Sequence, residues 1–262
     1  MDSLHRDISG TLRVISGYDE DEYSHLFFQS NDRLTDLFPK LDVYGKNVLT
    51  VLGSGDQALY FYKMGANCVD LFDINKLTFF YYYLRIWIIK YLNKSYPDYF
   101  LSLDLITNIL KMVSPKSKEE EYAYSYWTMI VHMDIKDINQ LFYIYFPIIS
   151  QNFFLTKDVL NGIDRKFKFY NLNISSNINI DSKYDIIYTS NLSEYLSKKN
   201  VALERYKDNL IHLLSPGGLI VSTNMIDDDI SLLEEEIFKS DFQIDRIFND
   251  NEEQIAYTYK LK

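Results

Sequence analysis

Residues 47–75 constrain the fold of this chain more than any other stretch. Asn47 to Leu52 is a short β-branched and aliphatic run, which is typical of a buried parallel strand. Gly53-Ser54-Gly55 interrupts the run, because glycine permits turns and lets another group approach the backbone. Cys68 to Phe72 predicts a second strand, which ends at Asp73. The stretch therefore predicts two parallel strands joined by a helix.

The connecting helix and the acid that follows it indicate a class of ligand. Ser54 and Gln57 have the spacing of a capping box, which predicts that the helix begins at the turn, and Gly65 is a natural end for it. The start of a helix offers backbone N–H groups and partial positive charge, while Asp73 offers an acceptor at the tip of the next strand. A nucleoside with a ribose diol and a polar tail would satisfy both.

The glycine spacing alone leaves the ligand open. Gly53-x-Gly55-x-x-Ala58, followed by Asp73, satisfies the dinucleotide fingerprint. It equally satisfies the first half of a site for S-adenosylmethionine (SAM). A turn with a purely structural role is the third interpretation.

Composition and charge exclude some classes of protein. The 262 residues suffice for one large α/β domain, or for one domain with an insertion. A net charge of −10 argues against a nucleic-acid partner, since phosphate binding needs clustered Lys and Arg. The single cysteine, Cys68, lies in a predicted strand and fits a core role in a reducing compartment, so we expect a cytoplasmic protein.

The most apolar run, Leu77 to Leu92, predicts a long buried helix with Asn75 as its N-cap. Arg85 and Lys90 interrupt the run, and it is shorter than the roughly 20 residues that a membrane span needs. We therefore expect no transmembrane segment. A location at a membrane surface is an alternative, because the run is rich in aromatic residues.

The chain divides into a leading segment and a main domain. Residues 1–46 predict a helical cap, which packs either over the open end of the ligand site or against a face of the sheet. Residues 47–262 form the main domain, with a helical insertion at about 95–162, between the second and third strands. An insertion at this point lies near the ligand crevice of an open α/β sheet.

The last part of the chain separates the two nucleotide interpretations. Strands are predicted at Lys166 to Tyr170, Tyr184 to Thr189 and Leu219 to Thr223, with Ser215 to Gly218 ending the helix before the last of these. The C-terminal residues 242–262 read as a β-hairpin around Asn249-Asp250-Asn251. A dinucleotide domain ends in parallel strands instead.

From Asn47 to Lys262, outside the insertion, the sequence resembles the class I SAM-dependent methyltransferases. The resemblance implies an α/β, Rossmann-like fold with a mostly parallel seven-stranded sheet in the order 3-2-1-4-5-7-6 and a C-terminal antiparallel hairpin. The LLSPGG segment, Leu213 to Gly218, is a further similarity. The sequence departs from the usual motif at Gln57, which replaces a glycine, and at Thr50 and Val51, where an acid is usual.

Three blocks, VLTVLGSGDQAL, FDIN and YTSNLSEYL, are more closely similar to betaine-lipid-synthase-like proteins. Those proteins keep the SAM fold but transfer the 3-amino-3-carboxypropyl group. Both resemblances imply SAM as the cofactor. They also imply the following cofactor-binding residues: Gly53, Ser54, Gly55 and Asp56 for methionine and ribose, Asp73 for the ribose hydroxyls, Ile74, Asn75 and Asn171 for adenine, and Ser190 and Asn191 near the sulfonium.

Each of these residues also has a purely structural interpretation. Asp56 suits the start of a helix, Asp73 suits an N-cap, and Ser190-Asn191 suits a tight turn. The catalytic residues are unknown, with Ser190, Asn191 and Glu194 as candidates. No metal is expected, since the four histidines lack ligand spacing and the acids Asp227 to Asp229 suit a helix N-terminus.

The sequence thus predicts a SAM-dependent transferase, which we interpret as a methyltransferase acting on a small-molecule or lipid-like acceptor. Aminocarboxypropyl transfer, a non-catalytic SAM- or nucleotide-binding module and an NAD(P)-dependent oxidoreductase are the alternatives.

Overall fold

A computed structural model describes residues 3–20, 22–27, 30, 32, 34–92, 101–142, 167–198, 203–225, 234–250 and 254–262. Three features of the sequence lie outside these residues. They are the turn residue Asn251, the acids Asp227 to Asp229, and both ends of the predicted insertion.

Seven strands form one sheet in the order β3-β2-β1-β4-β5-β7-β6. They are β1 (Asn47–Val51), β2 (Cys68–Asp73), β3 (Phe169–Asn171), β4 (Tyr184–Ser190), β5 (Leu214–Met225), β6 (Phe242–Asp250) and β7 (Gln254–Leu261). Strands β3, β2, β1, β4 and β5 are parallel, and β7 is antiparallel to both β5 and β6. The predicted order 3-2-1-4-5-7-6 and the C-terminal hairpin are confirmed. The predicted turn was placed too early, because Asn249 and Asp250 still belong to β6 and pair with Ile255 and Gln254.

Helices cover both faces of this sheet. They are α1 (Ser3–Ile15), α2 (Leu34–Leu37), α3 (Asp56–Lys63), α4 (Leu77–Leu92), α5 (Leu103–Leu110), α6 (Lys118–Val131), α7 (Leu192–Lys198) and α8 (Leu203–Leu213). Short 3-10 helices span Phe38–Lys40 and Ile138–Leu141. One buried cluster joins α1, α3, α4, α5 and α6 to the sheet, and a second joins α7 and α8 to its other face.

Helix α4 is buried on nearly all sides, as its sequence predicted. Helix α6 of the insertion packs along it, since the Trp127 indole donates to the Phe80 carbonyl at 2.8 Å and the Tyr126 ring stacks on Phe80 with centroids 3.7 Å apart. Helix α1 packs in turn on α6, where Thr11 and Tyr126 share a hydrogen bond of 2.7 Å. Among the described helices, none has both the length and the apolarity to cross a bilayer.

The predicted capping box at the start of α3 was wrong. The helix begins at Asp56, and its N-cap is Gly55, with φ +85° and no side-chain cap bond. Ser54 Oγ donates instead to Asp56 Oδ2 at 2.9 Å, and the Gln57 amide donates to Ser30 Oγ at 3.0 Å. Gln57 thus bonds to the leading segment and Ser54 to the neighbouring Asp56, so the reciprocal bonds of a capping box do not form.

The starts of two strands also differ from the prediction. Strand β3 begins at Phe169, and residue 166 lies outside the described part of the chain. Strand β5 begins at Leu214 rather than Leu219, because Leu214 already pairs with Tyr184. The register between β4 and β5 shifts before Leu219 pairs with Ile186, so residues 215–218 form an irregularity within β5.

Candidate functional site

The glycine turn lies at the carboxyl end of β1. Gly53 and Gly55 have φ of +48° and +85°, in the left-handed region that favours glycine. A Cβ on Gly55 would lie 2.6 Å from Cδ2 of Tyr82, whereas a Cβ on Gly53 would meet only the Gln57 amide nitrogen, at 3.9 Å. The close approach that Gly55 permits is therefore made by Tyr82 of α4, while a ligand can approach Gly53.

Gly55→Ala is expected to destabilise the protein more than Gly17→Ala, which is a matched control. Gly17 has φ +86°, and a Cβ at this position would have nothing within 4 Å, so its replacement introduces backbone strain alone, about 1–2 kcal/mol. The overlap with Tyr82 adds about 1–3 kcal/mol at Gly55. Urea unfolding measures both free energies, and equal losses would contradict the packing described here.

Asp73 lies at the tip of β2, beside the glycine turn. Its Oδ2 accepts the Gly53 N–H at 2.9 Å, and its Oδ1 accepts the Asn75 N–H at 2.9 Å. Burial raises the pKa of Asp73 from its ordinary value of 3.8 to about 6, although these hydrogen bonds oppose the shift. At pH 7 the carboxylate is thus an ionised acceptor held at the edge of the sheet.

Two asparagines shape the loop that follows Asp73. Asn171 Nδ2 donates to the carbonyls of Asp73 and Ile74, at 3.0 and 2.8 Å. Asn75 Oδ1 accepts the Leu77 N–H at 3.1 Å, which is the capping role that its sequence predicted. Both side chains are thus used in fixing the backbone beside the site.

An apolar cleft opens next to Asp73, between the ends of β1, β2 and β3 and helix α7. Ile74, which we expected beside adenine, is part of its wall. The full lining is Val51, Phe72, Asp73, Ile74, Leu172, Asn173, Ile174, Leu192, Tyr195 and Leu196. The cleft combines apolar walls with one carboxylate at its edge, which suits an aromatic base joined to a sugar.

Sequence patterns did not identify most residues of this cleft. Leu172 to Ile174 follow the end of β3, and Leu192, Tyr195 and Leu196 follow the end of β4. The available signal was their position, since ligands of open α/β sheets bind outside the carboxyl ends of the strands.

The predicted residues at the end of β4 are brought to the same edge of the sheet. Ser190 has φ +52°, and it is the one described residue other than glycine with a positive φ. The Asn191 carbonyl accepts the Tyr195 N–H at 3.4 Å, in the first turn of α7. Glu194, the candidate base, is 4% exposed.

Asp56 has a different environment from the one expected. Its Oδ1 accepts from Arg85 Nη2 at 2.6 Å, and both side chains are almost fully buried. Its Oδ2 accepts the Ser30 N–H at 2.6 Å and Ser54 Oγ at 2.9 Å. The carboxylate that we expected to meet the α-ammonium of a ligand is thus engaged mainly by the protein itself.

The leading segment crosses this edge of the sheet. Ser24 and Asn75 exchange hydrogen bonds at 2.9 and 3.4 Å, beside the end of β2. Ser30 contacts Asp56 after β1, and Asp32 contacts Ser190 at the end of β4. Helix α1 packs on α6 in the helical layer.

Within the described ranges, no group of three or more His, Cys, Asp or Glu side chains has the geometry of a metal site. Asp227 to Asp229 lie outside those ranges.

Comparisons with known proteins give only distant likenesses. No protein-family model matches the sequence, and no curated protein sequence matches it. The solved structures similar to this fold include a putative S-adenosylmethionine dependent methyltransferase from Listeria monocytogenes, at 9% identity and a TM-score of 0.48, covering 88% of this chain and 98% of that one. A SAM dependent methyltransferase from Aquifex aeolicus is 10% identical, with a TM-score of 0.47, over 96% and 98% of the two chains.

N-methyltransferase NodS from Bradyrhizobium japonicum WM9, in complex with S-adenosyl-l-homocysteine, is 9% identical with a TM-score of 0.45 and covers 97% and 98%. Likenesses with TM-scores below 0.5 transfer no activity, ligand or residue role to this chain. A functional proposal for this chain therefore has to be based on the strand order and the geometry of the site.

Proposed function

We propose that this protein is a SAM-dependent transferase, and specifically a methyltransferase. The observation that carries the proposal is the Asp73 carboxylate, which is bonded to the Gly53 N–H at the edge of an apolar cleft. This pair lies in a sheet that ends in an antiparallel hairpin, unlike that of a dinucleotide domain.

The residues present fit an adenosyl group. The Asp73 oxygens accept the Gly53 and Asn75 N–H groups at 2.9 Å, whereas the Thr78 hydroxyl and the Ile74 N–H interact with the carboxylate more weakly. In our proposal the ribose diol takes the place of these two weaker donors. The apolar cleft is suited to adenine, and the Gly53 backbone is open to the methionine part. The wall of Leu172, Ile174 and Leu192 supports this assignment.

When bound, SAM supplies an alkyl group that its sulfonium already activates. The chain's residues then need to orient two reactants and exclude water. In our proposal Ser190 and Asn191 flank the reacting end, because they lie at the end of β4. Glu194 is our candidate general base for an acceptor that must lose a proton.

The acceptor in this proposal is a small or lipid-like molecule. The net charge of −10 supports this choice over a nucleic acid, whose phosphates would be repelled.

The nucleoside product tests which group is transferred. The protein is incubated with SAM and a cell extract that supplies acceptors, and the products are separated by chromatography. Methyl transfer yields S-adenosylhomocysteine (SAH), whereas methylthioadenosine would overturn the methyl assignment in favour of aminocarboxypropyl transfer. If the protein binds SAM but forms neither product in many extracts, the non-catalytic alternative is favoured.

Binding of SAH is expected to weaken in acid. The pKa of Asp73 in the free protein is raised to about 6, so its carboxylate is protonated below that pH and loses strength as an acceptor. We expect affinity to be constant above about pH 7 and to fall by up to about tenfold per pH unit below 6. Calorimetry from pH 5 to 8 measures this, and Asp73→Asn should show a flatter profile. An identical profile for both proteins would contradict the role of Asp73.

A further inference from the structure

A carboxylate from the leading segment is buried against the ends of β4 and β5. Asp32 Oδ2 accepts hydrogen bonds from Tyr188 Oη at 2.7 Å and Ser190 Oγ at 2.6 Å. Its Oδ1 accepts from Thr223 Oγ1 at 2.7 Å. Short hydroxyl–carboxylate bonds are about twice as strong as neutral ones. The Asp32 carboxylate thus forms hydrogen bonds with hydroxyl groups of two neighbouring strands, β4 and β5.

One of these hydroxyls belongs to a strained residue. Ser190 holds φ +52°, a conformation that costs an L-residue about 1–3 kcal/mol unless its surroundings enforce it. The bond to Asp32 restrains its side chain, and Ser222 Oγ donates to its carbonyl at 3.3 Å. The strain lies at the end of β4, where the proposed reaction takes place.

The same carboxylate is connected to the glycine turn. The Asp32 N–H donates to Ser30 Oγ at 3.1 Å, and the Ser30 N–H donates to Asp56 Oδ2 at 2.6 Å. Asp56 is paired with Arg85, whose Nη1 donates to the Ser54 carbonyl in the turn at 2.6 Å. A continuous chain of polar contacts therefore joins the turn after β1 to the end of β4.

We propose that Asp32 is a positioning residue, which holds Ser190 in its left-handed conformation and thereby sets the end of β4 against the reacting end of the cofactor. The inference rests on the proposed function, because it assigns the glycine turn and Ser190 to one ligand. Asp32 itself is fully buried and does not need to touch that ligand.

A double-mutant cycle with SAH as the probe tests this role. Asp32→Asn keeps the side-chain shape but leaves one oxygen for three hydroxyl donors, and we expect it to weaken SAH binding about tenfold. Glycine adopts φ +52° without a Cβ penalty, so in a Ser190→Gly background Asp32→Asn should change affinity by no more than about twofold. Asp42→Asn, an exposed change in the same segment, is the control and should leave binding unaltered.

The rate of amide hydrogen exchange, measured without ligand, is the second arm of the test. Asp32→Asn should speed exchange of the amides of residues 190–192 when Ser190 is present, and much less when it is glycine. If Asp32→Asn has equal effects in both backgrounds, Asp32 does not act through Ser190 and the proposal is overturned. Failure of the unmodified protein to bind SAH would overturn the proposed function instead, and the exchange arm would still decide the role of Asp32.

Discussion

Arg85→Met is expected to lower the free energy of unfolding by about 3–5 kcal/mol. Methionine keeps most of the buried stem, so the loss comes from the charge. The Arg85 and Asp56 side chains are 2% and 4% exposed, and their 2.6 Å contact is therefore little screened by water. Without Arg85, the carboxylate of Asp56 stays buried and lacks its cation.

Arg13→Met provides a matched control for this variant. Arg13 pairs with Glu20 at the surface, where both side chains are about half exposed, and such pairs contribute about 0–1 kcal/mol. Adding Asp56→Asn to Arg85→Met should recover part of the loss, since it removes the uncompensated charge. Denaturant unfolding measures all of these values. If Arg85→Met costs no more than Arg13→Met, the buried pair is not a major contribution to stability.

Asp73→Ala is expected to weaken SAH binding by about 2–3 kcal/mol, or about 30- to 150-fold. The reason is the loss of charge-assisted hydrogen bonds between the carboxylate and the ribose hydroxyls. Calorimetry measures the effect. Asp70→Ala is the control, because Asp70 is buried on the same strand but bonds to Tyr184 Oη and the Lys168 N–H, away from the tip. It should reduce stability and leave SAH affinity nearly unchanged.

The Asp73 variant should remain folded. Because folding raises the pKa of Asp73, the folded protein binds this proton more tightly than the unfolded chain does. The contribution of Asp73 to stability therefore falls as the pH rises from about 4 to about 6, and above that range its ionised form costs about 3 kcal/mol. Asp73→Ala removes this cost of burying a charge, which offsets the loss of the two hydrogen bonds that Asp73 accepts from the Gly53 and Asn75 N–H groups. Unchanged SAH affinity in a folded variant would show that Asp73 has only a structural role.

Local sequence signals were sufficient for much of the fold. The strand, glycine turn, helix and strand between Asn47 and Asp73 have clear periodicity and turn residues, and the structure follows them. The hairpin at the C-terminus was predicted from alternation and from turn residues, and its antiparallel pairing with β5 completes the expected sheet. These features depend on residues that are near one another in the sequence.

The polar interior of the site could not be predicted in this way. Arg85 was interpreted only as an interruption of an apolar run, yet it pairs with Asp56, 29 residues earlier. Asp32 and Ser190 are 158 residues apart, and nothing local in either stretch identifies the other. Such residues become neighbours only when the helices and strands pack together. For the same reason, Gln57 bonds to Ser30 of the leading segment, although its spacing from Ser54 suits a local cap.

Calorimetric titration of the protein with SAH, and separately with NAD, tests the central claim most directly. The Asp73 carboxylate, the apolar cleft and the open Gly53 backbone together predict binding of SAH in the low micromolar range, about −8 kcal/mol, and no heat with NAD. Heat with NAD and none with SAH would contradict the account and would assign the site to a dinucleotide.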